Sequence, residues 1–289
     1  MPSPLKRVPG TPLIIALVLL LAVWSAAGLE LRVGRLTGVA NLLELLREAF
    51  PPDAGLAGTA LAAVLETLQI AFLGTLVGAV LALPLGLLGS RNLFGRGATV
   101  PARLLLAGIR TLPALLWAVI FVVAVGLGPL AGVLATGVYT VGYLGKLQYE
   151  AIEGLDPAPI HAIGSSGASR SQVIRHVVLP ESGNHLLSQI LFMFEHNVRA
   201  SSILGFVGAG GIGFYIAGYL TVFQYRSVLT LLIAVFLTIL AIDYLSVRLR
   251  DRFLVPARHP PRTRNWKKVE RELDPERMVQ QARMHLPVE

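Results

Sequence analysis

The 289 residues are 54% hydrophobic and 15% charged, and a mean hydropathy of +0.66 is too high for an ordinary soluble domain. Zero cysteines exclude a disulfide scaffold, a thiolate metal site and a cysteine nucleophile. The formal net charge of +8 does not point to nucleic acid, because the basic residues flank apolar runs or lie in the tail instead of lining one soluble face.

About 20 apolar residues cross a bilayer as a helix. About six runs come close to that length: 12–27, 61–88, 105–125, 129–144, 186–204 and 228–247. The predicted fold class is therefore all-α, a polytopic membrane helix bundle of about six transmembrane helices. The first run has a basic start and Ser25, Ala26 and Ala27 at its end, which fits an uncleaved anchor or a cleaved secretory signal. After it, Leu42, Leu43, Leu45, Leu46 and Phe50 recur at helical spacing among Glu44, Arg47 and Glu48. That pattern predicts a short amphipathic helix, lying on the membrane surface or packed as a loop helix. In the fourth run Gly132, Gly137, Gly142 and Gly145 suit close helix packing.

Charge asymmetry orients the chain. Lys6, Arg7, Arg91, Arg96, Arg103, Lys146, Arg170, Arg175, Arg248, Arg250 and Arg252 fall on one side of the predicted spans. The positive-inside rule makes that side cytoplasmic and puts both termini there. The expected organisation is an N-terminal helix with an outer amphipathic segment (1–56), a transmembrane domain (57–249) containing a cytoplasmic loop at 145–182, and a basic tail (250–289). In the tail, Pro256, Pro260, Pro261 and Pro275 break the chain, while Arg264, Lys267, Lys268 and Arg271 suit a solvated segment that touches anionic lipid.

Charges inside the spans are functional candidates, since each is costly there unless paired or facing a cavity. Glu195 and Arg199 stand four apart with the acid first, and with His196 and Asn197 they form the most polar patch of the spans. Two readings stand: a pathway or gate element passed by a tetrahedral oxyanion, with Arg199 as donor, or an internal pair stabilising the bundle. Glu66, Asp243 and Arg110 are expected to snorkel near span ends. The run Gly208, Ala209, Gly210, Gly211, Ile212, Gly213 matches the dinucleotide fingerprint GxGxxG, but no βαβ unit surrounds it. Close backbone approach by a loop or re-entrant segment at the outer mouth is the physical reading.

Between the fourth and fifth runs lies a polar, basic stretch, HAIGSSGASRSQVIRHVVLP, at 161–180. It reads as a short helix, a turn at Gly167, a second short helix and a stop at Pro180. The spacing of His161, Ala162, Ile163, Gly167, Ala168, Val177, Leu179 and Pro180 resembles the EAA loop of ABC-importer permeases. His161 stands where that family places an acidic residue, so any salt bridge that a Glu there would make to the ATPase is not to be expected from the resemblance.

The flanks extend the likeness to the phosphonate ABC transporter permease family. They are Phe50-Pro51-Pro52-Asp53, Glu66-Thr67, Gly145-Lys146-Leu147, the run from Glu150 to Glu153, Glu195 to Ala200, and Ile203 to Gly213. The resemblance implies a type I ABC-importer permease fold in the bacterial inner membrane. It also implies a homodimer of permeases, two ATPase subunits that bind ATP and Mg, and an extracytoplasmic substrate-binding protein. The loop 145–182 would couple to the ATPases, and Glu195, Asn197, Arg199, Gly208, Gly210, Gly211 and Gly213 are the candidate pathway or gate residues. The cargo expected is a phosphonate or a related oxyanion, phosphite or phosphate. Methionine- or metal-type importers and, further off, a secondary transporter are the alternatives.

No phosphate-binding GxxxxGK[ST] loop, metal-ligand spacing or paired carboxylates for acid–base work occurs, so neither catalytic residues nor a cofactor or metal of the chain's own is expected.

Overall fold

A computed structural model describes residues 11–28 and 38–253; Lys6, Arg7 and the basic tail beyond 253 lie outside the described residues. The chain divides into two compact units between Pro52 and Asp53. The first contains α1 (Thr11–Gly28), a short apolar helix, and α2 (Gly38–Ala49), the amphipathic helix foreseen around Leu42–Leu46.

The second unit is a helical bundle. Its elements are α3 (Ala57–Gly89), α4 (Arg96–Thr111), α5 (Ala114–Val125), α6 (Pro129–Glu153), α7 (Pro157–Ser165), α8 (Arg170–Val173), α9 (Leu179–Leu204), α10 (Ile212–Thr221) and α11 (Tyr225–Phe253). Among the described residues four stretches are long and apolar enough to cross a membrane: Ala54–Gly89, Pro129–Glu153, Arg170–Thr221 and Tyr225–Arg252. The pair α4 and α5 makes a fifth if counted as one span.

That pair corrects the straight run expected at 105–125. The two helices bend by 86° at Leu112–Pro113. Leu112 is extended (φ −98°, ψ 127°), as a residue before proline prefers. The indole of Trp117 reaches back to donate to the Ile109 carbonyl at 3.2 Å, satisfying an acceptor in α4's open last turn.

The core is the seam between α3 and α6, and small residues make it. Ala60, Ala63, Thr67, Ala71, Gly74, Thr75, Gly78, Ala82 and Gly86 are buried along one face of α3. On α6 the facing residues include Gly132, Thr136, Gly137, Thr140 and Gly145. A Cβ at Gly74 would stand 1.9 Å from Thr136 Oγ1, and one at Gly78 would stand 2.4 Å from Thr140 Cβ, so the backbones touch. Two of the buried threonines are satisfied by their own helices, Thr75 Oγ1 donating to Ala71 O at 2.6 Å and Thr136 Oγ1 to Gly132 O at 2.8 Å.

At one end of this seam the α7–α8 segment projects. A knot of polar contacts closes the bundle there. Arg103 of α4 pairs with Glu153 of α6 and donates through Nε to Gly89 O of α3 at 2.8 Å. Asn92 donates to Ile152 O at 2.8 Å. Pro180 behaves differently from the stop expected of it. A π-helical turn (Ile174–Val178) carries the chain from α8 into α9, and Pro180 occupies α9's first turn, where its missing N–H costs nothing.

Candidate functional site

The projecting loop is two short helices, each capped from within. The Asp156 carboxylate accepts from Ala158 N at 2.9 Å at the start of α7, where Pro157 presets the helical φ. Ser169 and Gln172 form a capping box on α8, with Ser169 N donating to Gln172 Oε1 at 2.7 Å. Between them Gly167 turns the chain at φ +84°, and a Cβ there would meet nothing within 4 Å. Ile163 and Ala168 pack inward against Ile152, Val173 and Val178. His161 and Ala162 point outward and are exposed. A groove of about 490 Å³ runs beside them, bordered by Leu93, Ile160, Gly164 and Arg170. The exposed face is thus presented by a segment that holds its own shape.

The opposite end of the seam is a glycine turn. The last helical turn before it is Gly205–Val207, and Gly208, Gly210 and Gly211 have φ of +88°, +80° and +71°. Here space is as restrictive as conformation. A Cβ at Gly210 would stand 2.9 Å from Pro129 N, one at Gly211 2.8 Å from Thr67 Oγ1, and one at Gly213 2.1 Å from Ser202 O. Gly128 N donates to Gly208 O at 2.9 Å. Glu66, expected to snorkel, instead caps α10 across 145 residues of sequence. Its Oε1 accepts from Gly211 N at 3.0 Å, while Thr67 Oγ1 accepts from Ile212 N at 2.8 Å. A carboxylate at a helix N-terminus is doubly favoured, by the orphan N–H groups and by the helix dipole.

Midway along the seam lies the polar patch of α9. Asn197 is fully buried, and its Nδ2 donates at 2.8 Å to Thr75 Oγ1 of α3 and at 2.8 Å to Thr140 Oγ1 of α6, so one amide rivets three helices. Arg199 pairs with Glu195 as the spacing foresaw, and also with Asp243 of α11, Nη1 to Oδ2 at 3.2 Å. Asp243 therefore ties helices together and does not snorkel. One cation held between two carboxylates leaves this group net negative.

Arg110 also departs from expectation. It sits at the end of α4, and its stem lies against Gly142 of α6, where a Cβ would be 2.9 Å from Arg110 Cγ. Its guanidinium is 5.2 Å from the centre of the Tyr143 ring. The Tyr139 and Tyr143 rings are 5.1 Å apart, and His196 stacks on both at 5.7 and 6.4 Å. The signal for this group was a Tyr pair four apart in α6 with an Arg just before Leu112-Pro113, but nothing local joins the two segments.

A model of the binding-protein-dependent transport system inner membrane components matches residues 74–255. The chain belongs to this family. It is a multi-pass inner-membrane transport permease, of the kind that works with ATPase and substrate-binding partners. It is 36% identical over 251 residues to the phosphite transport system permease protein PtxC of Stutzerimonas stutzeri, covering 84% of this chain and 89% of the relative. It is 38% identical over 121 residues to the putative cryptic phosphonate transport system permease protein PhnE2 of Escherichia coli, covering 42% of this chain and 99% of the relative. The fold is that of the permease in an inward-facing structure of the MetNI methionine ABC transporter. The TM-score is 0.60 at 22% identity, covering 69% of this chain and 98% of that one. As a permease of this family, the chain presents two candidate surfaces: the outward face of α7–α8 and the polar groups at mid-seam.

Proposed function

We propose that the chain is the membrane-spanning subunit of an ATP-driven importer for a phosphorus oxyanion: a phosphonate, phosphite or phosphate. The observation that carries this reading is the self-capped α7–α8 loop in a chain 36% identical over most of its length to a phosphite transport permease. Two copies pair about a two-fold axis, two ATPases dock on the loops, and a binding protein delivers cargo at the glycine-turn face. The assembled complex, and not this chain alone, hydrolyses ATP.

In this cycle, ATP binding draws the ATPases together and moves the face formed by His161 and Ala162, with Ile163, Gly167, Ala168, Leu179 and Pro180 setting its shape. The bundle is the two-state element and the ATPases bias it. Gly208, Gly210, Gly211 and Gly213 fix the outer mouth. Glu195, Asn197 and Arg199 hold the gate helix α9 to its neighbours, since Arg199 is already committed to two carboxylates.

Proteoliposomes containing the permease, its cognate ATPase and a binding protein are expected to take up phosphite, methylphosphonate or phosphate with ATP inside, and vanadate is expected to stop them. Uptake without the ATPase would replace this reading with a secondary transporter, and uptake of methionine alone with the methionine-type alternative. Orientation is tested on the naturally cysteine-free chain. Single cysteines at Ser166 and Ser171 should react with an impermeant thiol reagent from the cytoplasmic face, and those at Ala54 and Thr221 from outside. Labelling of Ser171 only from outside would invert the proposed topology.

A further inference from the structure

We infer that Arg110, with Tyr139, Tyr143 and His196, forms the site within the membrane where the translocated oxyanion binds. This inference rests on the transport reading above and assigns the contact to residues outside the loop, the Glu195–Arg199 pair and the glycine turn.

Depth is the first support. Counting along α6 at about 1.5 Å per residue, Tyr139 lies about 15 Å from Pro129 and Tyr143 about 15 Å from Glu153, so the cluster straddles the middle of the span. A guanidinium at that depth costs several kcal/mol against lipid, so it faces protein or a water-filled route.

Charge is the second. Arg103 and Lys146 pair with Glu153 and Glu150, and Arg199 is shared by Glu195 and Asp243. Arg110 has no carboxylate partner among the described residues, and its buried Nε has no hydrogen-bond partner. Of the two mid-seam arginines, it alone offers an uncompensated positive charge.

Geometry is the third. Arg110, Tyr139 and Tyr143, and His196 come from α4, α6 and α9, and the stacked rings hold the guanidinium against an aromatic wall. Gly142 makes the approach possible, for any side chain there would push Ile109 and Arg110 off α6. Tyr143 is 37% exposed, so the cluster opens on one side of the chain. Two phenol hydroxyls and an imidazole beside a guanidinium supply donors for several oxygens of one tetrahedral anion, and the guanidinium fork accommodates two of them at once.

The test separates anion contact from structural packing. In the purified full chain in nanodiscs, phenylglyoxal modification of individual arginines is read by peptide mass with and without millimolar phosphite. Phosphite should slow modification of Arg110 at least threefold and leave Arg91 unaffected; equal rates at Arg110 with and without phosphite would overturn the inference. This readout needs neither ATPase nor binding protein, so a failure of the complex to assemble or to turn over leaves it intact. In proteoliposomes, Arg110→Gln should lower phosphite uptake at least tenfold while still co-purifying with the ATPase, with Arg110→Lys retaining part of the activity. Tyr143→Phe, which keeps the ring and removes the hydroxyl, should lose about threefold. Wild-type uptake by Arg110→Gln would dismiss the site. If Arg110→Gln fails to assemble, the phenylglyoxal result on the native chain decides.

Discussion

Gly167 in the loop and Gly211 at the opposite end of the seam share a positive φ, yet their surroundings are opposite. At φ +84° Gly167 has open space beyond its Cα, whereas at φ +71° Gly211 has Thr67 Oγ1 2.8 Å from any Cβ. The first needs glycine for its conformation alone, and the second for conformation and contact. A segment whose glycine stands in open space can receive a partner there. One whose glycine is jammed against a helix 145 residues away belongs to the scaffold.

The largest test of that contrast is Gly213→Ala. Its methyl would meet the Ser202 carbonyl at 2.1 Å, backbone against backbone, so relief requires separating α9 from α10. A loss on the order of 3 kcal/mol is expected, read as a collapse in the yield of folded protein in detergent. Gly211→Ala comes next, combining about 1–3 kcal/mol of backbone strain at φ +71°, ψ −173°, a region essentially reserved for glycine, with displacement of the Thr67 cap. Thr67→Val isolates the cap and should cost about 1 kcal/mol in thermal unfolding; full wild-type stability in this variant would show that the Ile212 N–H finds another acceptor.

The smallest effect on the isolated chain belongs to Gly167→Ala, which carries the strain without the collision, about 1–2 kcal/mol confined to the loop. Its consequence should appear on docking: reduced ATPase co-purification and reduced binding-protein-stimulated hydrolysis, with insertion unchanged. His161→Glu should leave stability within about 0.5 kcal/mol, as an exposed substitution does, and be tolerated in docking. Wild-type docking in Gly167→Ala would remove the loop from its proposed role.

The sequence made the helical class and the family legible because hydropathy and motif spacing are local properties. Apolar length revealed α3, α6, α9 and α11, and the spacing around Gly167 revealed a helix–turn–helix that the structure contains. Counting apolar residues, however, runs straight across Leu112–Pro113, and only the proline marked the 86° bend. Pro180 carried the opposite ambiguity, since the same ring that ends one helix is welcome in the first turn of the next. The Glu66 cap, the Asn197 rivet and the Arg110 cluster lay out of reach for a different reason. Each joins segments tens to more than a hundred residues apart, and a span-end position says nothing about which neighbour faces it.

Asp243 has a further consequence for the last helix. Only 11% of the most hydrophobic stretch of α11 is buried, and its firm packing lies near its start, where Val228 and Leu231 join Ala60, Ala63, Ile212 and Ile216. A slip of one residue would turn it by about 100° and move it by about 1.5 Å, taking Leu231 out of that cluster. The 3.2 Å link from Arg199 to Asp243 forbids that slip, because it would strand a carboxylate in hydrocarbon. A single acid thereby indexes the rotation and depth of the half of the helix that lies beyond the Val228–Leu231 cluster, as a key indexes a shaft.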